Sequence, residues 1–375
     1  MEWEKQRTWA QISMSALEHN YRALRAMLPE GCRFLGVVKA NAYGHGAVPV
    51  ARELVRLGCE MLAVACLDEA LELRREGIAA PILILGPTPV EFARQVVEQD
   101  ITQAVFTMEL ARALSEAAAE QGKTARVHIK LDTGMSRVGV TAHEPREAAH
   151  QVSELCGVPH LEFEGVFTHF ANADEDEDYT MLQFTRFLDT LGELEKSYGI
   201  TFSIRHCAAS AAALKYPCTH LDMVRPGLAL YGHYPDANCH GLDGQGLIPV
   251  MSVYTRVSAV RELPAGAPVS YGGTRVLERD SRLAVLAIGY GDGFSRRLSD
   301  QFRVELNGQE VPILGRICMD MCMVDATHLP EVEVGDVAVV FGPDKPLEEA
   351  AALAGTIPYE LLCDISLRLP RIYLT

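Results

Sequence analysis

Short runs of β-branched and aliphatic residues alternate with amphipathic stretches through the first two-thirds of the chain. The apolar runs predict strands at 34–39, 61–66, 82–85, 104–106, 126–131, 163–168, 202–206 and 223–232. Between most of them, apolar residues recur at helical spacing, which predicts helices at 47–58, 68–77, 90–99, 108–121 and 178–197. Eight buried strands joined by helices predict a parallel (β/α)8 barrel, because parallel strands need crossover connections and bury both faces.

After about residue 240 the pattern changes. Residues 237–246 are rich in Gly, Asn and Asp, as in a linker, and strand-like segments without intervening helices follow at 250–263, 283–290, 303–314, 321–327 and 337–342. Asn307-Gly308 predicts a hairpin turn, because both positions tolerate positive φ, and one helix is expected near 347–354. A chain of 375 residues exceeds what one core usually supports. We therefore predict an α/β barrel domain over 1–240 and a mostly-β domain over 241–375.

Composition narrows the class of protein. Apolar residues make up 48% of the chain and charged residues 22%, with a formal net charge of −16, which argues against a nucleic-acid partner or an anionic membrane surface. No apolar run is long enough for a membrane span, and the charged opening MEWEKQR is unlike a signal peptide, so a cytoplasmic location is expected. The ten cysteines lack zinc-site spacing, which predicts free thiols and no metal.

Polar residues cluster where the predicted barrel strands end, the edge at which barrel enzymes place their chemistry. Lys39 closes the first strand; on position alone it is either a salt-bridged lysine or a reactive amine. Later strand ends carry Lys130, Asp132 and Arg137, then His169 and Asp174, then His206 and Ser210, then Arg225 and Gly227. This rim suits an anionic ligand and an amine-reactive lysine. Because a sugar-phosphate barrel would show a similar set, these residues alone indicate only a phosphate-binding barrel enzyme.

Longer motifs identify a family that the chain resembles. VVKANAYGHG is similar to the pyridoxal-phosphate attachment segment of alanine racemases, and the other blocks follow in that family's order: DTGMSRVG, THFANAD, MVRPGLALYG, VSYGGTR, IGYGDGF, GRICMDM and ISLRLPRIY. The resemblance extends from about residue 8 to the end of the chain. It implies a pyridoxal-phosphate enzyme with a (β/α)8 barrel, a β-domain, and a homodimer that builds each active site from one subunit's barrel and its partner's second domain.

The resemblance also implies catalytic roles. Lys39 would hold the cofactor and serve as acid or base on one face of the substrate carbon, while Tyr271 of the partner chain would serve the other face. Because a free tyrosine titrates near pH 10, it needs help, and His169 occupies the position that supports it in the family. Arg225 would hydrogen-bond the pyridine nitrogen, which stays neutral because a guanidinium keeps its proton. His206 would support Arg225.

Binding roles follow in the same way. Arg137 would meet the cofactor hydroxyl and the substrate carboxylate. Lys130 matches a lysine that is often carbamylated, which would make it an anion orienting Arg137; the alternative is an ordinary exposed or salt-bridged lysine. The phosphate would be bound by Tyr43, Ser210 and the amides of Gly227 and Leu228. In the partner's site, the Met319 backbone would meet the substrate carboxylate and Tyr290 would narrow the entrance, although core packing would equally explain Met319.

Two positions depart from the family pattern. Ala209-Ser210 stands where most members have Asn-Ser, and Leu367 replaces a tyrosine that contacts the phosphate and narrows the substrate pocket. Serine racemases of the vancomycin-resistance type carry a smaller polar residue there. A hydrophobic pocket rejects an added hydroxyl by only about two orders of magnitude. The expected function is therefore alanine racemisation, which supplies D-alanine for peptidoglycan, and serine or dual alanine/serine racemisation is the nearest alternative.

Two other classes of protein share the barrel lysine. A barrel-type amino-acid decarboxylase would carry an acidic residue at the pyridine nitrogen, where this chain has Arg225. A non-enzymatic pyridoxal-phosphate-binding protein would lack the second domain, so Tyr271 and the whole of 245–375 argue against it.

Overall fold

The structure is a computed structural model that describes residues 5–235 and 246–375. Its contacts divide the chain into two compact units. The barrel unit is Glu18–Ala42 with Ala47–Leu247, and the second unit is Met1–Leu17, Tyr43–Gly46 and Ile248–Thr375. The boundary predicted at 240 and all of the predicted linker except Gly246 fall outside the described residues.

The elements within the described residues can be numbered along the chain. The strands are β1 Thr8–Ser13, β2 Arg33–Val37, β3 Met61–Val64, β4 Ile82–Ile84, β5 Thr102–Val105, β6 Ala125–Asp132, β7 Val140–Thr141, β8 Leu161–Phe167, β9 Ile204–His206, β10 Met223–Val224, β11 Met251–Leu263, β12 Pro268–Val269, β13 Arg275–Val276, β14 Ser281–Leu286, β15 Arg303–Leu306, β16 Gln309–Leu314, β17 Cys322–Asp325, β18 Val337–Phe341 and β19 Arg371–Leu374. The helices are α1 Met14–Ala26, α2 Lys39–Tyr43, α3 Ala47–Arg56, α4 Leu67–Arg75, α5 Ala93–Glu98, α6 Met108–Glu120, α7 Pro145–Cys156, α8 Glu177–Tyr198, α9 Ser210–Lys215, α10 Leu347–Ala354 and α11 Pro358–Asp364.

The barrel unit is built on one parallel sheet. Its strands run in the order β10, β2, β3, β4, β5, β6, β8, β9, and every pair along this path is parallel. Backbone bonds from Asp222 N to Arg205 O (3.1 Å) and from Arg225 N to Ala208 O (2.9 Å) join β9 to the β10 segment and close the ring. Most of the strand residues are buried, as expected when helices cover the outer face. The predicted (β/α)8 barrel is confirmed.

The eighth barrel segment is shorter than its apolar run suggested. Only Met223 and Val224 form a strand, and Leu228–Tyr231 turn into a 3-10 helix. Pro226 cannot donate to a ladder and Gly227 weakens a strand, which explains why the run 223–232 does not stay extended. Helix α7 was not among the helices predicted from the sequence. It has Pro145 in its first turn, where proline is well tolerated.

The second unit is mainly antiparallel. β11, β14, β17, β16, β15 and β18 pair in a closed ring of six antiparallel strands. β1 pairs antiparallel with β11 and parallel with β19, so the first strand of the chain belongs to this sheet. The β15–β16 hairpin turns at Asn307 (φ 50°) and Gly308 (φ 75°), which confirms the predicted turn. Helix α10 was predicted, whereas α11 was not. No helix in the two described ranges is long and apolar enough to cross a membrane.

Candidate active site

Lys39 begins a left-handed turn directly after the first barrel strand. Ala40, Asn41, Ala42 and Tyr43 have φ values of 51°, 54°, 53° and 52°, a region that costs an L-residue about 1–2 kcal/mol. Within the barrel unit, Asn41 Oδ1 accepts from Ala47 N at 2.8 Å. Strain of this kind persists only where surrounding bonds hold it, and it concentrates at functional sites. The half-buried Lys39 side chain therefore extends from a backbone whose conformation is held by the surrounding structure.

Glu69 on helix α4 holds this turn from outside. Its carboxylate accepts from Ala40 N at 2.6 Å and from Ala65 N at 2.7 Å, so it ties the turn to the segment after β3. Glu69 was not recognised from the sequence, because an acidic residue in the first turn of a helix ordinarily serves only the helix dipole.

Arg225 lies at the centre of the barrel mouth. Its side chain is 3% exposed. Its Nη1 donates to His206 Nδ1 (3.0 Å), and its Nη2 faces Thr168 O (2.8 Å), Cys207 O (3.2 Å) and His169 Nδ1 (3.3 Å). These acceptors are carbonyls and imidazoles rather than carboxylates, so none of them neutralises the positive charge of Arg225. Burial lowers the pKa of Arg225 to about 10, which still leaves the guanidinium protonated at neutral pH.

Lys130 is the second buried cation of the mouth. It is 5% exposed, and its Nζ lies 5.3 Å from the centre of the Phe167 ring, as does Arg225 Cζ. Burial, followed by the charges of Arg137, Arg225 and Lys39, lowers the pKa of Lys130 to about 8. These cations therefore lie close enough to act on one another, and the mouth carries an excess of positive charge.

Arg137 sits on a loop that one carboxylate organises. Asp132 Oδ1 accepts from the amides of Gly134, Met135 and Ser136, and its Oδ2 accepts from Arg137 N, all at 2.9–3.0 Å. The Arg137 side chain remains exposed. Asp132 was recognised as a polar strand end, but its role as the acceptor for four amides follows only from the three-dimensional turn.

The two predicted histidines of the mouth are neutral. Burial and then the positive charge of Arg225 lower the pKa of both His169 and His206 well below the usual value. Because Arg225 can only donate, the Nδ1 atom of each ring is the acceptor, and the ring proton is on Nε2.

Three of the four predicted phosphate residues, Ser210, Gly227 and Leu228, lie together around the Ser210 hydroxyl, and Ser210 is 4% exposed. Ser210 Oγ accepts from Gly227 N at 3.0 Å and from Ala229 N at 3.2 Å, so its hydroxyl proton remains to be donated elsewhere. Gly227 is therefore a partner of Ser210, and Leu228 starts the adjoining 3-10 turn. Tyr43 is grouped with the second unit, where it is buried and packs its ring 6.1 Å from that of Tyr359.

The remaining predicted residues lie on the surface of the second unit. Tyr271 and Met319 line one depression of about 560 Å³ together with Cys318 and Met321, and Tyr271 is 68% exposed. Ser270, just before Tyr271, has φ 64° and donates to Arg316 O at 2.5 Å, so the tyrosine projects from a strained turn.

Tyr290 and Leu367 lie near this depression. Tyr290 N donates to Cys318 O at 3.0 Å, which connects its segment to Met319. Leu367 is 82% exposed, and Arg368 beside it forms an ion pair with Asp320 at 2.7 Å. The structure thus gathers the predicted residues into two groups, one at the barrel mouth and one on the second unit.

Comparison with known proteins covers both parts of the chain. Residues 12–235 match the alanine racemase N-terminal domain, and residues 250–373 match the alanine racemase C-terminal domain. The chain belongs to the alanine racemase family. The alanine racemase of Desulfovibrio desulfuricans is 48% identical over 97% of this chain and 97% of its own length.

Solved alanine racemases share the fold. The enzyme from Streptomyces lavendulae is 38% identical, with a TM-score of 0.93, covering 99% of this chain and 97% of the other. The enzyme from Bacillus anthracis with bound L-Ala-P is 37% identical, with a TM-score of 0.91, covering 99% and 95%. These alanine racemases therefore match the barrel unit and the second unit alike.

Proposed function

We propose that the protein is a pyridoxal-phosphate-dependent alanine racemase that supplies D-alanine for peptidoglycan. The observation that carries the proposal is the barrel mouth, where Lys39 lies among Lys130, Arg137 and Arg225 in a chain that matches the alanine racemase family along almost its whole length. A mouth with surplus positive charge suits an anionic cofactor. Arg225, which donates and keeps its proton, argues against the decarboxylase alternative.

The residues present fit pyridoxal phosphate. Lys39 would attach it, Ser210 would donate its remaining hydroxyl proton to the phosphate, and Tyr43 and the backbone near Gly227 and Leu228 would complete that end. Arg225 and His206 would lie at the pyridine nitrogen, and Arg137 would lie at the ring hydroxyl. When bound, the cofactor supplies an electron sink that acidifies the substrate's Cα–H.

Racemisation needs a proton donor and acceptor on each face of the substrate carbon. We assign Lys39 to one face and the partner subunit's Tyr271 to the other. His169 would steer the tyrosine, because its Nδ1 faces Arg225 and its Nε2–H is directed elsewhere. Cations held near a phenol favour its ionised form, which a tyrosine base requires near neutral pH.

Lys130 is proposed to carry a carbamate. A carbamate forms on the uncharged amine, and a pKa of about 8 leaves about one lysine in ten uncharged at pH 7. The anion would neutralise part of the surplus charge and orient Arg137. In protein supplied with 13C-bicarbonate, we expect a carbamate carbon signal that strengthens towards pH 8 and is absent from Lys130→Met; a spectrum without it would leave Lys130 an ordinary buried lysine.

Tyr271, Met319 and Tyr290 are exposed on the second unit, which is consistent with sites completed in a homodimer. Met319 would offer its backbone to the substrate carboxylate, and Tyr290 would narrow the entrance. The cytoplasmic location stays a prediction from composition.

Serine racemisation is a second candidate because of Leu367. This residue is 82% exposed and replaces the tyrosine that would narrow the substrate pocket. The decisive experiment measures racemisation of L-alanine and L-serine side by side, with purified protein and added pyridoxal phosphate. We expect rapid racemisation of alanine and slower racemisation of serine. Faster turnover of serine would reassign the substrate, and racemisation of neither would reject the proposal.

A further inference from the structure

A row of hydrogen-bonded side chains continues below Arg225 into the interior of the barrel. His206 Nε2 lies 2.9 Å from His128 Nδ1, and His128 Nε2 lies 3.2 Å from Glu164 Oε1. Both imidazoles are fully buried, whereas the Glu164 side chain keeps 19% of its surface exposed. Four side chains on β6, β8, β9 and the β10 segment therefore form one row from the mouth towards the far side of the barrel. We refer to Arg225, His206, His128 and Glu164 as the relay.

The donors of the relay can point in only one direction. Arg225 has no acceptor, so His206 Nδ1 accepts from it and the His206 proton sits on Nε2. That Nε2–H must donate to His128 Nδ1, which places the His128 proton on Nε2, facing the Glu164 carboxylate. A guanidinium at one end and a carboxylate at the other thus select the same tautomer for both rings. Burial is the main cause that lowers the pKa of both imidazoles. For Glu164, burial raises the pKa, but the bond from His128 and the other contacts of the carboxylate outweigh it and lower the pKa below its usual value.

The barrel is shaped around the middle of this row. A Cβ at Gly165 would lie 2.5 Å from His128 Nδ1 and Cε1, so any other residue there would displace the ring. The β6–β8 pairing shifts register between Val127 and His128, a bulge of the kind that redirects a side chain. Phe167 stacks on His206 at 4.8 Å with an interplanar angle of 13°. A buried polar row in an apolar barrel is costly unless every member is satisfied, and here each imidazole nitrogen has a partner.

We propose that His128 and Glu164 are positioning residues of the active site: together they lock His206 in its Nε2–H tautomer and so fix the direction in which Arg225 donates. Neither residue reaches the mouth, and both act through His206. Glu164 is the anchor, because its carboxylate can only accept. The activity measurement below rests on the proposed function. The tautomer measurement does not, because it requires no reaction.

The first test reads the tautomers directly. Long-range 15N–1H correlation spectra of 15N-histidine-labelled protein distinguish Nε2–H from Nδ1–H rings, both with and without pyridoxal phosphate. We expect His206 and His128 to show Nε2–H in the wild type, with signals assigned by His206→Gln and His128→Gln. A proton on Nδ1 of His206, or an imidazolium there at pH 7, would overturn the proposal.

The second test removes the anchor. Glu164→Leu cannot accept, so both rings should shift towards mixed tautomers and turnover should fall roughly tenfold, a loss of the size seen when outer partners of functional histidines are removed. Glu164→Gln keeps an acceptor oxygen and should retain the Nε2–H signals and most of the turnover. Glu162→Leu, an exposed position on the same strand, is the matched control.

The two measurements separate the outcomes. Unchanged His206 signals in Glu164→Leu, with turnover equal to that of Glu162→Leu, would overturn the proposal, as would a glutamine variant that loses as much as the leucine variant. A chain that racemises nothing would reject the proposed function but leave the tautomer result readable. If Glu164→Leu fails to fold, His128→Gln and His128→Leu give the same comparison one step nearer Arg225, because only glutamine can accept from His206.

Discussion

The barrel mouth and the surface of the second unit carry the two halves of the predicted chemistry, and they are built in opposite ways. At the mouth, Arg225 and His206 are buried and bonded to partners from the same unit. On the second unit, Tyr271 is 68% exposed and Met319 is 53% exposed. The mouth is therefore preorganised by its own chain, whereas the Tyr271 surface leaves its two predicted site residues largely exposed. This contrast is what a cofactor site in one subunit, completed by another, would require.

The largest effect should come from the mouth. Lys39→Ala removes both the proposed attachment point and one of the two proposed acid/base groups, so we expect turnover to fall by at least about 10⁴-fold. Borohydride should fix pyridoxal phosphate to Lys39 in the wild type, as peptide mass spectrometry would show, and should fix none in the variant. Lys196→Ala, on the exposed side of helix α8, is the control and should behave as wild type. Trapping at another lysine would remove Lys39 from its role.

A substitution on the Tyr271 surface should lower turnover without the loss of cofactor expected for Lys39→Ala. Tyr271→Phe removes one hydroxyl and leaves the mouth intact, so cofactor loading should stay normal while turnover falls about 10²–10⁴-fold. Exchange of the Cα hydrogen with solvent deuterium should fall more for one enantiomer than for the other, because each base faces one side of the carbon. Tyr198→Phe, on helix α8, controls for loss of an exposed hydroxyl. Wild-type turnover in Tyr271→Phe would assign the second base elsewhere.

Mixing the two variants tests whether the halves come from different chains. In a random mixture of Lys39→Ala and Tyr271→Phe subunits, half of the dimers are hybrids and each holds one intact site, so activity should return to about a quarter of the wild-type level. The measurement is turnover after subunits are exchanged at low protein concentration and reconcentrated. An inactive mixture in which mass spectrometry detects hybrid dimers would show that each chain supplies both of its own bases.

The sequence predicts the barrel well because each barrel strand is signalled by residues that are adjacent in the chain. Each buried strand is an apolar run, and Lys39, His169 and Arg225 mark strand ends that parallel pairing must bring to one rim. The membership of β1 in the second unit's sheet could not be predicted, because Thr8–Ser13 pairs with residues at least 239 positions away, through backbone bonds that any strand can make. Helix α11 was missed for a related reason, since seven residues give too few turns for a periodic signal.

Within the site, residues that act on other residues were the ones missed. Glu69 was missed, and Asp132 was recognised only as a polar strand end, because both bind backbone amides and no residue pattern records which amides a fold brings within reach. His128 did leave a signal, because it lies two positions before Lys130 and therefore on the same face of strand β6, in which polar and apolar residues alternate. That alternation indicates a polar interior, but only the structure pairs His128 with Glu164 on the neighbouring strand β8.

Substitution of Leu367 should have the smallest effect of these substitutions. It tests only whether the second unit contributes to substrate selectivity. Leu367→Tyr should supply a hydrogen bond to the phosphate, a bond that contributes about 1.5–3 kcal/mol when an ion takes part. Because position 367 is 82% exposed, we expect the lower end of that range, seen as slower cofactor loss in dialysis. The added ring should also lower the serine-to-alanine ratio of kcat/KM by about tenfold, since pocket filling discriminates by about that much. Ile357→Tyr, at another exposed apolar position of the second unit, is the control. A folded, cofactor-loaded Leu367→Tyr protein with the wild-type ratio would show that selectivity is set at the barrel mouth.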